Sequence, residues 1–237
     1  MAVTKKEVVT IRPIKEETRV LRIEGTTPLI THKWSHKCKL MIPAGARAFL
    51  LAQGKTKSIT DKVKDDDKYE TPIEQFINSL YWIGEKPTEY TEEAFDEAVA
   101  SGAKFGMKVE AFKKAAIGAA YAKKWIKDKK NNNGLFFIEP DYVDDEGNQL
   151  VIIQGDVPHI REDTVCLSGI SHSADLRWRP QFDNWFVDLR ITYDVDGLYS
   201  FEDIANMIMA GGRYYGIAEM RPEKGGQFGM YKVVTMA

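Results

Sequence analysis

The chain is poor in the residues from which disulfides and metal sites are built. Its 237 residues include two cysteines, Cys38 and Cys166, and four histidines. The two cysteines are far apart in sequence and fit no metal-ligand spacing, so we predict free thiols in a reducing compartment. We therefore expect a cytoplasmic protein with no metal ion and no cofactor.

Long apolar runs and a large net charge are also missing. No stretch approaches the about 20 consecutive apolar residues of a transmembrane helix, and the first residues contain no apolar signal region. We therefore expect no membrane association. The formal net charge of −2 excludes a nucleic-acid binder that is basic throughout, but it allows local basic surfaces. A hydrophobic content of 43% is sufficient for a core.

The apolar pattern changes along the chain from strand to helix and back to strand. Alternating or branched residues predict strands near 18–24, 150–154, 185–193 and 229–234. Spacings of three or four residues predict helices within 71–99 and from about 107 to 122. We therefore predict one α+β domain over residues 1–237, with an antiparallel sheet near its centre.

Three local signals add detail to this fold. Ser200 and Asp203 resemble a capping box, which predicts a helix over 201–210 that Gly211 ends. The sequence Asp-Asp-Glu-Gly at 144–147 predicts a hairpin turn. Residues 54–70 are polar and include three consecutive aspartates, so we predict a mobile insertion there.

Charge is unevenly distributed along the chain. Residues 104–130 contain nine lysines and two acidic residues, whereas residues 55–103 contain twelve acidic residues and six lysines. A lysine-rich segment can bind a phosphate backbone and release its counterions. The alternative is a solvated helix face with no ligand.

Aromatic residues lie next to the basic ones at several places. Stacking of bases on aromatic rings beside cations is how proteins bind single strands without sequence preference. We therefore predict binding of single-stranded nucleic acid with little base specificity. The candidate contact residues in these segments are His32, Lys33, Trp34, Lys37, Lys113, Lys114, Lys123, Lys124, Arg177 and Arg179.

The segment from 200 to 234 combines glycines with cationic side chains. Six glycines lie between 211 and 229, and Arg213, Arg221 and Lys224 are interleaved with them. Glycine allows the backbone to approach a ligand closely. Backbone amides that no side chain covers can bind a phosphate together with neighbouring cations. We therefore add these three residues, with Gly225 and Gly226, to the predicted site. In the alternative, Arg221 pairs with a neighbouring glutamate and the segment is a structural turn.

Residues 23–30, Ile-Glu-Gly-Thr-Thr-Pro-Leu-Ile, resemble the opening strand of the RAMP superfamily, the ferredoxin-like subunits of CRISPR effector complexes. Residues 106–116 are similar to a strand-to-helix element of its backbone subunit, without the proline and serines of that element, and residues 210–233 resemble its glycine-rich loop. The last segment is also similar to the tails of prophage proteins. The resemblance implies a ferredoxin- or RRM-like core elaborated by helical insertions, a single strand lying across the sheet face, and homo-oligomers that polymerise along the strand.

Two other functions remain open at this point. Some RAMP relatives cut RNA with a histidine as general base, which makes an endoribonuclease an alternative. His32 and His36 are four residues apart, but Lys33 stands where a zinc protease has glutamate. The acidic stretch 61–97 would suit a phage-encoded inhibitor or an assembly subunit that binds a protein. The sequence favours a binding protein over an enzyme.

Overall fold

The computed structural model describes residues 13–34, 70–166 and 174–236. In these residues the strands are β1 (Glu16–Gly25), β2 (Leu29–Ile30), β3 (Trp82–Ile83), β4 (Lys104–Lys108), β5 (Phe136–Glu139), β6 (Tyr142–Val143), β7 (Gln149–Gly155), β8 (His159–Cys166), β9 (Ala174–Phe182), β10 (Trp185–Asp194) and β11 (Tyr231–Met236). The α-helices are α1 (Pro72–Ser79), α2 (Glu92–Ala100), α3 (Val109–Ala122) and α4 (Phe201–Tyr214), and a 3-10 helix covers Pro222–Lys224. The mobile insertion predicted at 54–70 lies outside the described residues, apart from its last residue.

The main sheet has eight antiparallel strands. Along the sheet the order is β11, β1, β10, β7, β4 and β3, while β5 pairs with β10 and β6 pairs with β7. The four segments predicted near 18–24, 150–154, 185–193 and 229–234 are the neighbours β1, β7, β10 and β11. The prediction of an α+β fold with a central antiparallel sheet is therefore confirmed.

Alternation along β10 separates the two faces of this sheet. Residues from Trp185 to Tyr193 alternate between buried and half-buried positions, because successive side chains of a strand point to opposite faces. The apolar set, which includes Leu189 and Ile191, is fully buried beneath the helices. The polar set, which includes Asp188 and Arg190, lies on the outer face.

Helices α3 and α4 pack together on the inner face of the sheet. The ring of Phe112 in α3 lies 5.8 Å from that of Tyr231 in β11, centroid to centroid. A capping box of Ser200 and Asp203 starts α4, as predicted, and α3 ends at Ala122, also as predicted. Helices α3 and α4 therefore both pack against β11, the last strand of the chain.

Gly211 does not end helix α4, and that prediction is wrong. The helix continues through Gly211 and Gly212 to Tyr214. A Cβ atom on Gly211 would lie 2.7 Å from the backbone nitrogen of Ala116, and one on Gly212 would lie 2.2 Å from the carbonyl oxygen of Tyr231. The two glycines thus allow the backbones of α4, α3 and β11 to approach closely.

A second, smaller sheet has the order β2, β9 and β8. Its strand β9 connects to β10 through a short turn, so the chain passes directly from one sheet to the other. Helix α1 packs against β9, and Gln75 Oε1 accepts a hydrogen bond from the backbone nitrogen of Trp178 at 3.4 Å.

No helix in the described part of the chain is long and apolar enough to cross a membrane.

The helix predicted from about 107 begins with a strand instead. Residues 104–108 form β4, which pairs with β7, and α3 starts at Val109. Phe105, Gly106 and Met107 are all buried. An apolar run that is buried on both faces carries no period of two, so this segment cannot be told from a helix by its pattern alone.

Candidate nucleic-acid interface

The end of helix α3 turns the chain sharply and presents a lysine. The backbone nitrogens of Lys124 and Trp125 donate to the carbonyl oxygens of Tyr121 (3.0 Å) and Ala120 (2.9 Å), which is the pattern of a Schellman motif. Lys124 has φ of 60°, the left-handed conformation that glycine adopts most readily. The next residue, Trp125, leaves the helix with its ring half exposed.

Three aromatic rings lie exposed around this turn. Tyr121 is 47% exposed, Trp125 is 46% exposed and Tyr214, from the last turn of α4, is 54% exposed. Exposed apolar surface is often where soluble proteins bind a partner, so this turn is a candidate binding surface.

Lysines lie against these rings. The ammonium nitrogen of Lys123 is 4.0 Å from the ring centroid of Tyr214 and 5.5 Å from that of Trp125. The ammonium nitrogen of Lys129 is 5.1 Å from the ring centroid of Tyr121. We call this surface the helix-end cluster. Its members are the contacting residues Tyr121, Lys123, Trp125, Lys129 and Tyr214, together with Lys124 and Arg213, which are exposed and adjacent to them in the chain.

The cations of the helix-end cluster are not paired with acids in the part of the chain that the structure describes. Among the residues that the structure describes, no carboxylate forms an ion pair with Lys123, Lys124, Lys129 or Arg213. Asp128, an acid of the same turn, accepts hydrogen bonds from the backbone nitrogen of Lys130 (2.7 Å) and the amide of Asn131 (2.8 Å). The cluster therefore presents aromatic faces and net positive charge together.

Lys113 and Lys114 differ in their surroundings although they are adjacent in α3. The ammonium nitrogen of Lys113 lies 4.2 Å from the ring centroid of Phe137, which is 55% exposed. Burial lowers the pKa of the Lys113 ammonium. Lys114 instead forms an exposed ion pair with Glu110 at 2.8 Å. Lys113 is thus placed beside an exposed ring, whereas Lys114 is occupied by its own helix.

The loop between α4 and β11, residues 215–230, is held by contacts within itself, and we call it the tail loop. Arg221 binds Glu223 at 2.7 Å and donates to the carbonyl oxygen of Ala218 at 2.8 Å, which is the contact expected of a structural turn. A Cβ atom on Gly226 would lie 1.8 Å from the carbonyl oxygen of Met220, so this glycine is needed by the loop itself. Gly225, with φ of 83°, has open space around it and follows the exposed Lys224.

Arg177 and Arg179 lie in the smaller sheet and are engaged by acids. The Arg179 side chain is 7% exposed, and its guanidinium lies 3.9 Å from Asp163 and 3.7 Å from Glu219. Arg177 pairs with Asp175 at 2.8 Å. Trp178, between them, points to the other face and donates from Nε1 to Glu162 at 3.0 Å. Arg179 is therefore buried and is not accessible to a nucleic-acid strand on the protein surface.

The segment around Trp34 has one exposed aromatic ring, that of Trp34, and two basic residues, Lys33 and His32. Lys33 binds Asp144 at 3.1 Å. Burial, aided by Arg179 and Arg177, lowers the pKa of His32 to about 4, so its imidazole is neutral at physiological pH. Lys37 lies outside the described residues. Among the described residues, neither His32 nor Lys33 pairs with a member of the helix-end cluster.

A cavity of about 330 Å³ opens between His32, Tyr81 and the start of α3. Burial, with a smaller contribution from Asp144, raises the pKa of Tyr81 to about 12. The charged lining groups are mostly paired, because Lys114 binds Glu110 and Arg221 binds Glu223. The cavity therefore offers little free charge to a ligand.

The outer face of the main sheet is also charged, but its charges are compensated. Arg22 donates two hydrogen bonds to Asp188, both at 2.7 Å. Arg190 donates to Asp141 at 2.6 Å and to Glu139 at 3.3 Å. A phosphate would have to displace these carboxylates, so this face is less suited to a polyanion than the helix-end cluster.

Three residues near this surface were not expected from the sequence: Tyr121, Lys129 and Phe137. Their roles depend on contacts between α3, α4, β5 and the turn after α3, which local patterns do not reveal. The lysine count of residues 104–130 is the signal that located the region. Comparison with models of protein families and with curated proteins finds no match to this chain.

Proposed function

We propose that the protein binds single-stranded nucleic acid at the helix-end cluster, through phosphate contacts and base stacking with little base specificity. The observation that carries this proposal is the group of three exposed rings with lysines against them. Stacking of a base on an aromatic ring contributes about 1–3 kcal/mol, and every base has a face to stack. In this proposal Lys123 and Lys129 contact the phosphates on either side of a stacked base.

Lys124 adds a separate reason for this choice. Its left-handed conformation costs about 1 kcal/mol relative to glycine, and strained residues are often retained where a side chain has a role in binding. A glycine at this position would form the same Schellman motif with less strain but would remove one positive charge. The lysine is consistent with a need for charge at this turn.

We also propose a ferredoxin-like core and a relation to the RAMP superfamily. The four central strands lie in the order β11, β1, β10 and β7 across the sheet. Numbered as first to fourth along the chain, that is the order fourth, first, third, second. The connection from the first to the second of these strands contains α1, α2 and α3, of which α3 packs with α4 on the sheet, and α4 connects the third to the fourth. This arrangement agrees with a β-α-β-β-α-β unit. Self-association of the protein along a bound strand belongs to the same proposal.

The proposal is tested by fluorescence anisotropy with labelled oligothymidylate and oligouridylate. Trp125→Ala should weaken binding by about 1–3 kcal/mol because it removes a stacking surface. Lys123→Ala should weaken binding to both oligonucleotides and lower the slope of log affinity against log salt by about 1. Both variants should keep the wild-type melting temperature to within a few degrees, since both side chains are exposed.

Lys232→Ala is the matched control for the loss of one positive charge. Lys232 lies in β11 and its ammonium is 3.6 Å from Glu24. We expect this variant to bind as the wild type does. If Lys232→Ala weakens binding as much as Lys123→Ala, the effect is one of net charge and the helix-end cluster is not the site. Absence of salt-dependent binding in the wild type would remove the proposed function altogether.

A further inference from the structure

We infer that the strand continues from the helix-end cluster along helix α3 to the Lys113–Phe137 pair, so that the ligand is an oligonucleotide of about four or more nucleotides. This inference rests on the proposed function. It extends the site to a second aromatic contact and excludes mononucleotides and dinucleotides as the natural ligand.

The Lys113–Phe137 pair repeats the chemistry of the helix-end cluster. In each place a lysine ammonium lies about 4 Å from the centre of an exposed aromatic ring, Phe137 for Lys113 and Tyr214 for Lys123. Among the described residues, no carboxylate forms an ion pair with Lys113. A base that stacks on Phe137 would place its phosphate near this ammonium.

The two contacts are separated by a length that a short strand covers. Lys113 and Lys123 are ten positions apart along α3, which corresponds to about 15 Å along the helix axis. A single contact would be satisfied by one or two nucleotides. Two contacts at this separation need about four, which is the lower end of the site sizes found in single-strand binders.

The chain between the two contacts is polar, basic and exposed. After α3 the backbone returns toward β5 through residues 126–135, with Ile126 buried as an anchor. Lys127, Lys129 and Lys130 lie on the exposed side of this turn, followed by Asn131 and Asn133. Phosphates between the two stacked bases would therefore pass cationic and amide side chains at these positions. The acid of this turn, Asp128, already accepts hydrogen bonds from the backbone nitrogen of Lys130 and the amide of Asn131.

The experiment measures affinity for a ladder of oligothymidylates, from the dinucleotide to the octanucleotide. For the wild type, affinity should rise steeply between the dinucleotide and the tetranucleotide and more slowly thereafter. Phe137→Thr should lower affinity for the octanucleotide by about tenfold and leave affinity for the dinucleotide unchanged. Threonine keeps the strand preference of β5, and Lys113→Gln provides an independent second variant with the same expected pattern.

Val143→Ala is the control for the loss of an exposed apolar side chain, because Val143 lies in the nearby strand β6 and is exposed. It should leave the whole ladder unchanged. If Phe137→Thr and Lys113→Gln leave the ladder unchanged while Trp125→Ala still weakens every oligonucleotide, the second contact is wrong and the proposed function stands. If no oligonucleotide binds the wild type, both fail.

Discussion

Alanine at Gly211 or Gly212 tests whether these residues are contacts between backbones, as in the structure, or a helix stop, as their sequence suggests. The new methyl group at 211 would lie 2.7 Å from the nitrogen of Ala116. At 212 it would lie 2.2 Å from the carbonyl oxygen of Tyr231. Both neighbours are backbone atoms, so neither clash can be relieved by rotating a side chain.

The expected loss of stability follows from two opposing effects. Forcing an extra methyl group into a packed contact costs about 1–3 kcal/mol or more. Replacing glycine by alanine inside a helix contributes about 1 kcal/mol in the other direction. Because both contacts are far shorter than normal packing, we place the net loss near the upper limit, about 2 kcal/mol for each variant. In a domain of this size that loss lowers the melting temperature by about 4–8 °C.

Thermal and urea unfolding of the single variants provide the measurement. Gly134→Ala is the control, since a Cβ atom there would meet no atom within 4 Å and its backbone is not left-handed. The control should unfold at the wild-type temperature or slightly above it, because alanine restricts the unfolded chain. If Gly211→Ala is as stable as this control, α4 does not approach α3 as closely as the structure has it and the reasoning fails.

Three further predictions concern stability. Lys124→Gly should raise the free energy of unfolding by about 1 kcal/mol, because it relieves a left-handed lysine; an unchanged urea midpoint would contradict this. The pKa of His32 falls from 6.5 to about 4 on folding, so stability should decrease by about 3 kcal/mol as pH falls through that interval. His32→Asn should abolish that dependence, and an identical pH profile would show that another group causes it. Ser200→Ala should cost about 1 kcal/mol in urea unfolding by removing the cap of α4, whereas Ser200→Thr should cost little.

The sequence predicts those parts of the fold whose causes are local. The four central strands carry alternating or branched apolar residues, the capping box at Ser200 forms, and the turn at 144–147 closes with the nitrogen of Gly147 donating to the carbonyl oxygen of Asp144 at 2.8 Å. Strand β8 was missed because charged residues interrupt its apolar positions. Gly211 was misread because the atoms that require a glycine there belong to Ala115 and Ala116, about 95 residues earlier in the chain.

The same distinction applies to the candidate site. The lysine-rich segment and Trp125 are visible in the sequence because they are adjacent in it. The contact of Lys123 with Tyr214 joins two helices, and that of Lys113 with Phe137 joins a helix to a strand, so neither follows from spacing. Arg179 illustrates the converse, since its position beside Trp178 suggested an exposed pair but the strand alternation directs it toward Asp163.

The position of β1 between β10 and β11 constrains how the protein is made. Arg22 and its partner Asp188 are 166 residues apart in the chain, so a ribosome synthesises most of the domain before β1 has a neighbouring strand. During that time the apolar side of β1, with Leu21 and Ile23, has no sheet to join. Closing so long a loop is slow, and exposed strands of incomplete chains are prone to aggregate. We therefore expect chaperones and the rate of translation to change the yield of folded protein, even when the stability of the folded state is unchanged.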